Sequence, residues 1–276
     1  MSQKLLEAHY RPNRLLTEAH GLDGYNCGFA AARQAGAFGE HQRALVWRLI
    51  GEVPIDEATR VLDVGSGIGG PAQWIAQRHG ARVVGLEYCG SSVRAARQRA
   101  ESGAERLRFV QGDAQYMPLA ADSVDVIFNL ESALHYADKD GFLGECRRVL
   151  RPGGWLCLGD LTTDYRRLFA VAQLFNKVPS QFNSNVRLWS RDAYRRAFAT
   201  QRLSIEQSER VTTQVADSLA DGLADIRLRG WKASRGFRAR YFYLAFLEKL
   251  LRRGKLHYDL FRVRKDGGPG NTARGS

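Results

Sequence analysis

"RVLDVGSGIGGPAQWIAQRHGARVVGLE", residues 60–87, decides how this chain is read. A short apolar run, "RVLDV", stops at a glycine turn. "GPAQWIAQRHG" follows with helical spacing, and "RVVGLE" is a second apolar run. Strand, turn, helix and strand in that order make a βαβ unit and call for a parallel sheet. Gly65, Gly67 and Gly70 fit G-x-G-x-x-G, and Glu87 lies far enough downstream to hold a ribose. Taken alone, that pattern fits a dinucleotide. Asp63, two residues before the first glycine, argues against one. A carboxylate at the mouth of the first strand repels a diphosphate in a partly desolvated cleft, whereas it suits an ammonium group or a bound water.

The alternation continues outward. "SSVRAARQRAES" reads as a helix capped by Ser91, "LRFVQGD" as the third strand and "VDVIFNLE" as the fourth. "KDGFLGECRRVL" is a helix broken by "RPGG" before a fifth strand, "WLCLGDL". Beyond Asp160 the pattern changes. "YRRLFAVAQLF" and "SRDAYRRAFAT" read as helices, with Ser190 capping the second, and "RLSIEQSERVT" as a sixth strand. Two helical stretches then lead to "KLHYDLFRV", a last strand expected to be antiparallel because no parallel-style crossover precedes it. The expected fold class is α/β: a Rossmann-like, doubly wound, mostly parallel seven-stranded sheet with an antiparallel last strand and a helical lid or cap.

The expected organisation follows. Residues 1–51 form N-terminal helices and a lid over the cofactor, 52–160 the cofactor-binding core and 161–201 a substrate cap. Residues 202–266 complete the sheet with a helical lid, and 267–276 form a disordered, glycine-rich tail. Residues 1–20 carry few apolar side chains, so that helix is expected to cover the cofactor or to pair with a second copy.

Composition narrows the function classes. Hydrophobic residues make up 44% and charged residues 25%, which suits a globular chain with a real core. No apolar run is long enough to span a membrane, and the charged start lacks the apolar stretch of a signal peptide. Four scattered cysteines without a C-x-x-C pair indicate neither a metal site nor a disulfide framework, so a cytoplasmic setting with reduced thiols is expected. The net charge is +12, and Arg227–Lys265 holds thirteen Lys or Arg against Glu248 and Asp259. Such asymmetry serves an acidic substrate, an anionic surface or simply solvation. No RNA-binding motif accompanies it, and no nucleic-acid partner is expected.

Three acids fall at three consecutive strand ends. Asp63 suits an ammonium, Glu87 the two ribose hydroxyls, and Asp113 in "QGDA" an adenine amino group. The set fits a neutral-to-cationic adenosine compound better than a dinucleotide. With "VLDVGSGIGG", "GLE", "GDA", "VDVIFNLES" and "RRVLRPGG" in order over residues 60–160, the chain resembles class I S-adenosylmethionine-dependent methyltransferases. "FNLESALHY" and the ending "RRGKLHYDLFRVRKDG" resemble a subgroup that acts on small, often lipid-like molecules, the phthiotriol-type lipid O-methyltransferases and natural-product enzymes among them. The resemblance implies S-adenosylmethionine as cofactor and S-adenosylhomocysteine as product. It implies Asp63, Gly65, Gly67, Glu87, Asp113 and Ala114 as cofactor contacts, with Asn129, just past the fourth strand, at the methionine end. It also implies that the "GYNCGF" loop folds over the cofactor, with Tyr25 in contact, although Cys27 departs from the usual pattern.

Open α/β sheets bind ligands beyond the carboxyl ends of their strands, which directs Glu131, His135, Tyr136 and Asp160 at the transferred methyl. His135 is the expected general base for a hydroxyl nucleophile, with Asp160 orienting its ring. Glu131 admits another chemistry, carbon methylation of an isoprenoid double bond, in which a carboxylate stabilises a cation. The aromatic residues between 161 and 251 suit an apolar or aromatic substrate, and Arg187 or Arg191 could meet an anionic group on it. The expected activity is therefore O-methylation of a small natural product in secondary metabolism. Carbon or nitrogen methylation is the alternative, and RNA or protein methylation and an NAD-dependent oxidoreductase rank below it.

Overall fold

A computed structural model describes residues 25–32, 37–100, 105–165, 186–228 and 235–267. The expected N-terminal helix, residues 166–185 of the expected cap and the tail beyond Gly267 lie outside these residues. So does any pairing of copies through the N-terminus.

Seven strands form one sheet: β1 (Arg60–Val64), β2 (Arg82–Glu87), β3 (Leu107–Gln111), β4 (Val124–Leu130), β5 (Leu150–Thr162), β6 (Leu203–Arg210) and β7 (His257–Lys265). Their order is β3-β2-β1-β4-β5-β7-β6. The first five pair in parallel. β7 inserts antiparallel between β5 and β6, as its missing crossover predicts.

Helices cover both faces because successive strand residues alternate sides. On one face α1 (Phe38–Ile50), α2 (Gly70–His79), α3 (Gly90–Arg99), α6 (Thr212–Leu228) and α7 (Arg235–Arg252) pack over Val61, Val83, Val126, Phe128 and Cys157. On the other, α4 (Lys139–Val149) and α5 (Arg191–Thr200) pack Phe142, Leu143, Tyr194 and Phe198 over Leu62, Ile127, Leu156 and Phe261. The strands near the centre are buried on both sides, so they read as continuous apolar runs rather than alternating ones.

Three local expectations change. "RPGG" does not break the chain before β5. Leu150 already pairs with Val124 and Trp155 with Val126, so residues 151–154 bulge out of a continuous strand. Ser91 is not the cap of α3: Cys89 occupies that position, and its amide goes to Glu87 Oε1 at 2.7 Å. Asn129 lies inside β4 rather than beyond it. Ser190 does cap α5, accepting from the Ala193 amide at 3.1 Å.

Part of the basic excess is structural. Arg262 is buried and donates from Nε to the Leu49 carbonyl, and Lys265 holds Asp122 and the Leu150 carbonyl, each at 2.6 Å. No helix among the described residues is long and apolar enough to cross a membrane.

Candidate active site

The turn after β1 is shaped by left-handed glycines. Gly65 has φ +78°, and a side chain there would collide with Ser132 Oγ. Gly67 has φ +55°, and its bare face lets the Tyr25 ring lie against the turn, 3.2 Å from where a Cβ would stand. Both positions therefore demand glycine, one for contact with the loop after β4 and one for the N-terminal loop. The Gly65 amide donates to the Leu86 carbonyl at 2.8 Å, and the Gly67 amide to Glu87 Oε2 at 3.0 Å. The ends of β1 and β2 and the start of α2 are thereby drawn into one cradle.

Its floor is acidic. Asp63 is 2% exposed, and its Oδ2 has no hydrogen-bond partner. Burial, with the Glu87 charge nearby, pushes its carboxyl up to about 8. Burial likewise raises Glu87, partly offset by the amides of Cys89 and Gly67. Two buried carboxylates facing a tight turn form a site for a cation and for hydroxyl donors. The buried Ser66 Oγ and Asn129 Oδ1 also lack partners. Asn129 donates from Nδ2 to the Val64 carbonyl at 2.9 Å and to Tyr136 Oη at 3.1 Å, and Tyr136 Oη meets Ser132 Oγ at 2.6 Å. Asn129 thus links the end of β1 to the loop after β4. Asp113, after β3, uses Oδ1 to hold its own turn, accepting from the Gln115 amide at 2.8 Å and Gln115 Nε2 at 3.2 Å. Ala114 is buried beside it.

The reacting side divides into two clusters. After β4, Glu131 takes φ +51°, a left-handed conformation uncommon outside glycine. A 3-10 turn, Ala133–His135, follows and leaves His135 half-buried. Glu131 Oε1 accepts the Cys27 amide at 2.7 Å and Tyr258 Oη at 2.9 Å, and Oε2 accepts Cys27 Sγ at 3.2 Å. Asp160 belongs elsewhere. It is fully buried, and its Oδ2 accepts Lys139 Nζ at 3.2 Å and Tyr194 Oη at 2.5 Å, while Oδ1 accepts the Leu161 amide. A buried carboxylate needs a strong partner at all times, and Lys139 on α4 supplies one to Asp160. Arg191 is also committed, donating to Ser208 Oγ at 2.8 Å with Asp259 at 3.6 Å.

The geometry thus gathers Tyr25, Asp63, Gly65, Gly67, Glu87, Asn129 and the loop carrying Glu131 around the carboxyl ends of β1, β2 and β4. Sequence reasoning missed Cys27 and Tyr258 as partners of Glu131, and Lys139 and Tyr194 as partners of Asp160. Only the alternation of β7, which placed Tyr258 on a strand, could have pointed to any of them. Among the described residues no cluster of ligating side chains could hold a metal ion.

Residues 62–158 match the model of a methyltransferase domain. The chain is 40% identical over 127 residues to erythromycin 3''-O-methyltransferase of Saccharopolyspora erythraea, covering 44% of this chain and 41% of that protein. It is also 40% identical over 104 residues to a sterol 24-C-methyltransferase of Gibberella zeae, covering 37% and 27%. The matched stretches span less than half the length of these curated relatives. Among solved structures, the mycolic acid cyclopropane synthase CmaA1, complexed with S-adenosylhomocysteine, aligns with a TM-score of 0.83 at 19% identity. That alignment covers 96% of this chain and 99% of the other.

Proposed function

We propose that this chain, an enzyme that belongs through residues 62–158 to the class I S-adenosylmethionine-dependent methyltransferases, methylates a hydroxyl of a small, apolar natural product. The observation that carries the reading is the pair of buried carboxylates, Asp63 and Glu87, at a glycine turn, with Asp63 Oδ2 unpartnered. Such a donor-poor, acceptor-rich floor fits the ammonium and ribose hydroxyls of S-adenosylmethionine and is hostile to a diphosphate.

Asp63 would receive the ammonium. Glu87 would accept ribose hydroxyls with the lone pairs that the amides leave over, and Asp113 the adenine amino group with the oxygen outside its turn. Gly65 and Gly67 allow backbone approach, Ala114 lines the adenine side, and Asn129 holds Tyr136 and the β4 loop toward the methionine end. Tyr25 covers the turn. When bound, S-adenosylmethionine supplies a sulfonium-borne methyl open to in-line attack, so the chain's own task is orientation and deprotonation. His135, half-buried on the turn after β4, is the side chain proposed to take the hydroxyl proton.

Hydroxyl methylation draws support from the erythromycin relative and from that histidine. Carbon methylation is the second reading, favoured by the sterol relative; Glu131, already accepting three hydrogen bonds, is a poor candidate for the cation-stabilising group it needs. The test is incubation with methyl-labelled S-adenosylmethionine and a panel of apolar alcohols, phenols and isoprenoid alkenes. Label in ether products supports the proposal, label in carbon-methylated products supports the second reading, and no transfer to any acceptor class counts against both.

A further inference from the structure

Glu131 sits where a reacting group is expected, yet its carboxylate is occupied by the loop that precedes the domain and by β7. Cys27 gives it a backbone amide at 2.7 Å and a thiol at 3.2 Å, and Tyr258, at the start of β7, gives it a hydroxyl at 2.9 Å. The left-handed backbone at φ +51° is what turns the carboxylate that way, while the Glu131 amide stays on the Gly159 carbonyl at 2.8 Å. Strained conformations of this kind persist where the surroundings over-determine them.

The rest of the loop is tied as thoroughly. Asn26 Oδ1 accepts the Gly28 amide, and the Asn26 carbonyl accepts Gln42 Nε2 at 2.8 Å. The Cys27 carbonyl accepts Ser218 Oγ at 2.8 Å, and the amides of Phe29 and Ala30 reach the His41 and Gln214 carbonyls. Those other ties run to α1 and α6, whereas Glu131 and Tyr258 join the loop to the sheet. Two residues before Cys27, the Tyr25 ring rests on Gly67.

We infer that Glu131, Cys27 and Tyr258 form a clasp that fastens the N-terminal loop to the sheet and so holds Tyr25 over the cofactor turn. Glu131 is on this account a positioning residue that governs cofactor retention. The three donors and one acceptor are matched: a carboxylate accepts at both oxygens, and the amide, the thiol and the phenol can each only donate to it. Three donors converge on one buried carboxyl, so loosening one member is felt by the whole loop. Cofactor release requires the loop to lift, and the clasp is the part of that loop's anchorage nearest to the reacting side.

The inference rests on the proposal that S-adenosylmethionine binds at this turn, and the experiment separates the two. S-adenosylhomocysteine affinity and release are measured for the full chain and for Tyr258→Phe, Cys27→Ala, Cys27→Ser and Glu131→Gln, with folding checked by circular dichroism. Tyr258→Phe removes only a hydroxyl and should weaken affinity roughly tenfold, mainly through faster release. Cys27→Ala should act in the same direction by less, and Cys27→Ser, which keeps a donor, should restore wild-type affinity. In turnover, the loss should appear as a higher KM for the cofactor, with kcat carrying the smaller share. Folded Tyr258→Phe and Glu131→Gln variants that bind S-adenosylhomocysteine as tightly as wild type overturn the clasp. A fall confined to kcat also overturns it and returns Glu131 to the chemistry. A wild-type chain that does not bind S-adenosylhomocysteine at all defeats the cofactor reading instead.

Discussion

Replacing Asp63 by asparagine keeps the shape of the side chain and removes its charge. In the folded chain the Asp63 carboxyl titrates at about 8, against 3.8 for an unperturbed aspartate. Between those values the unfolded chain has released a proton that the folded chain retains. Stability contributed by protonated Asp63 is therefore complete below about pH 4 and is lost as pH rises through about 8. The gap is about four units, and at roughly 1.36 kcal/mol per unit its ceiling is about 5 kcal/mol. A carboxamide does not titrate, so the Asp63→Asn variant should lack this slope. Thermal melts of both ligand-free proteins between about pH 5 and pH 8 should diverge by about 1 kcal/mol per pH unit. That corresponds to roughly 2–4 °C in Tm per unit, with the variant the more stable at the alkaline end. An ammonium bound beside Asp63 favours its charged form, so saturating S-adenosylhomocysteine should flatten the wild-type slope and bind more tightly as pH rises over the same window. Parallel pH dependence in the two proteins would mean instead that Asp63 is already ionised and solvated in the folded chain.

Three further outcomes are expected. Gly67→Ala puts a Cβ at φ +55° against the Tyr25 ring, so it should weaken S-adenosylhomocysteine binding about tenfold while leaving the fold intact by circular dichroism. Lys139→Met strands the fully buried Asp160 and should cost about 3–5 kcal/mol in urea unfolding, with Asp160→Asn milder because Tyr194 can still donate to it. His135→Ala should lower turnover on a hydroxyl acceptor by roughly 10²–10⁴-fold with cofactor affinity unchanged. Unaltered turnover in that variant removes the base assignment.

The cradle was legible in the sequence because its parts are local. Asp63, Gly65, Gly67 and Glu87 lie within one βαβ unit, where strand ends and a helix start fix where side chains must meet. The antiparallel β7 was legible for a topological reason, the absence of a crossover before it. What escaped was long-range. Tyr258 reaches Glu131 across 127 residues and Cys27 across 104, and nothing in the composition of either segment marks the meeting. The partners of Asp160 escaped for the same reason, since a strand-end position does not reveal them. The satisfaction of a buried carboxylate depends instead on which helix residue packs over it, here Lys139 at the first turn of α4. The bulge at "RPGG" was missed because the same four residues also make a good turn in isolation.

Whether the turn holds S-adenosylmethionine through Asp63 is decided by titration calorimetry of the full chain and of Asp63→Asn, with S-adenosylhomocysteine and, separately, with NAD. One S-adenosylhomocysteine should bind per chain, with affinity reduced at least roughly tenfold in the variant and no heat of binding with NAD. Binding of NAD, or S-adenosylhomocysteine affinity indifferent to the loss of the Asp63 charge, would contradict that reading of the turn.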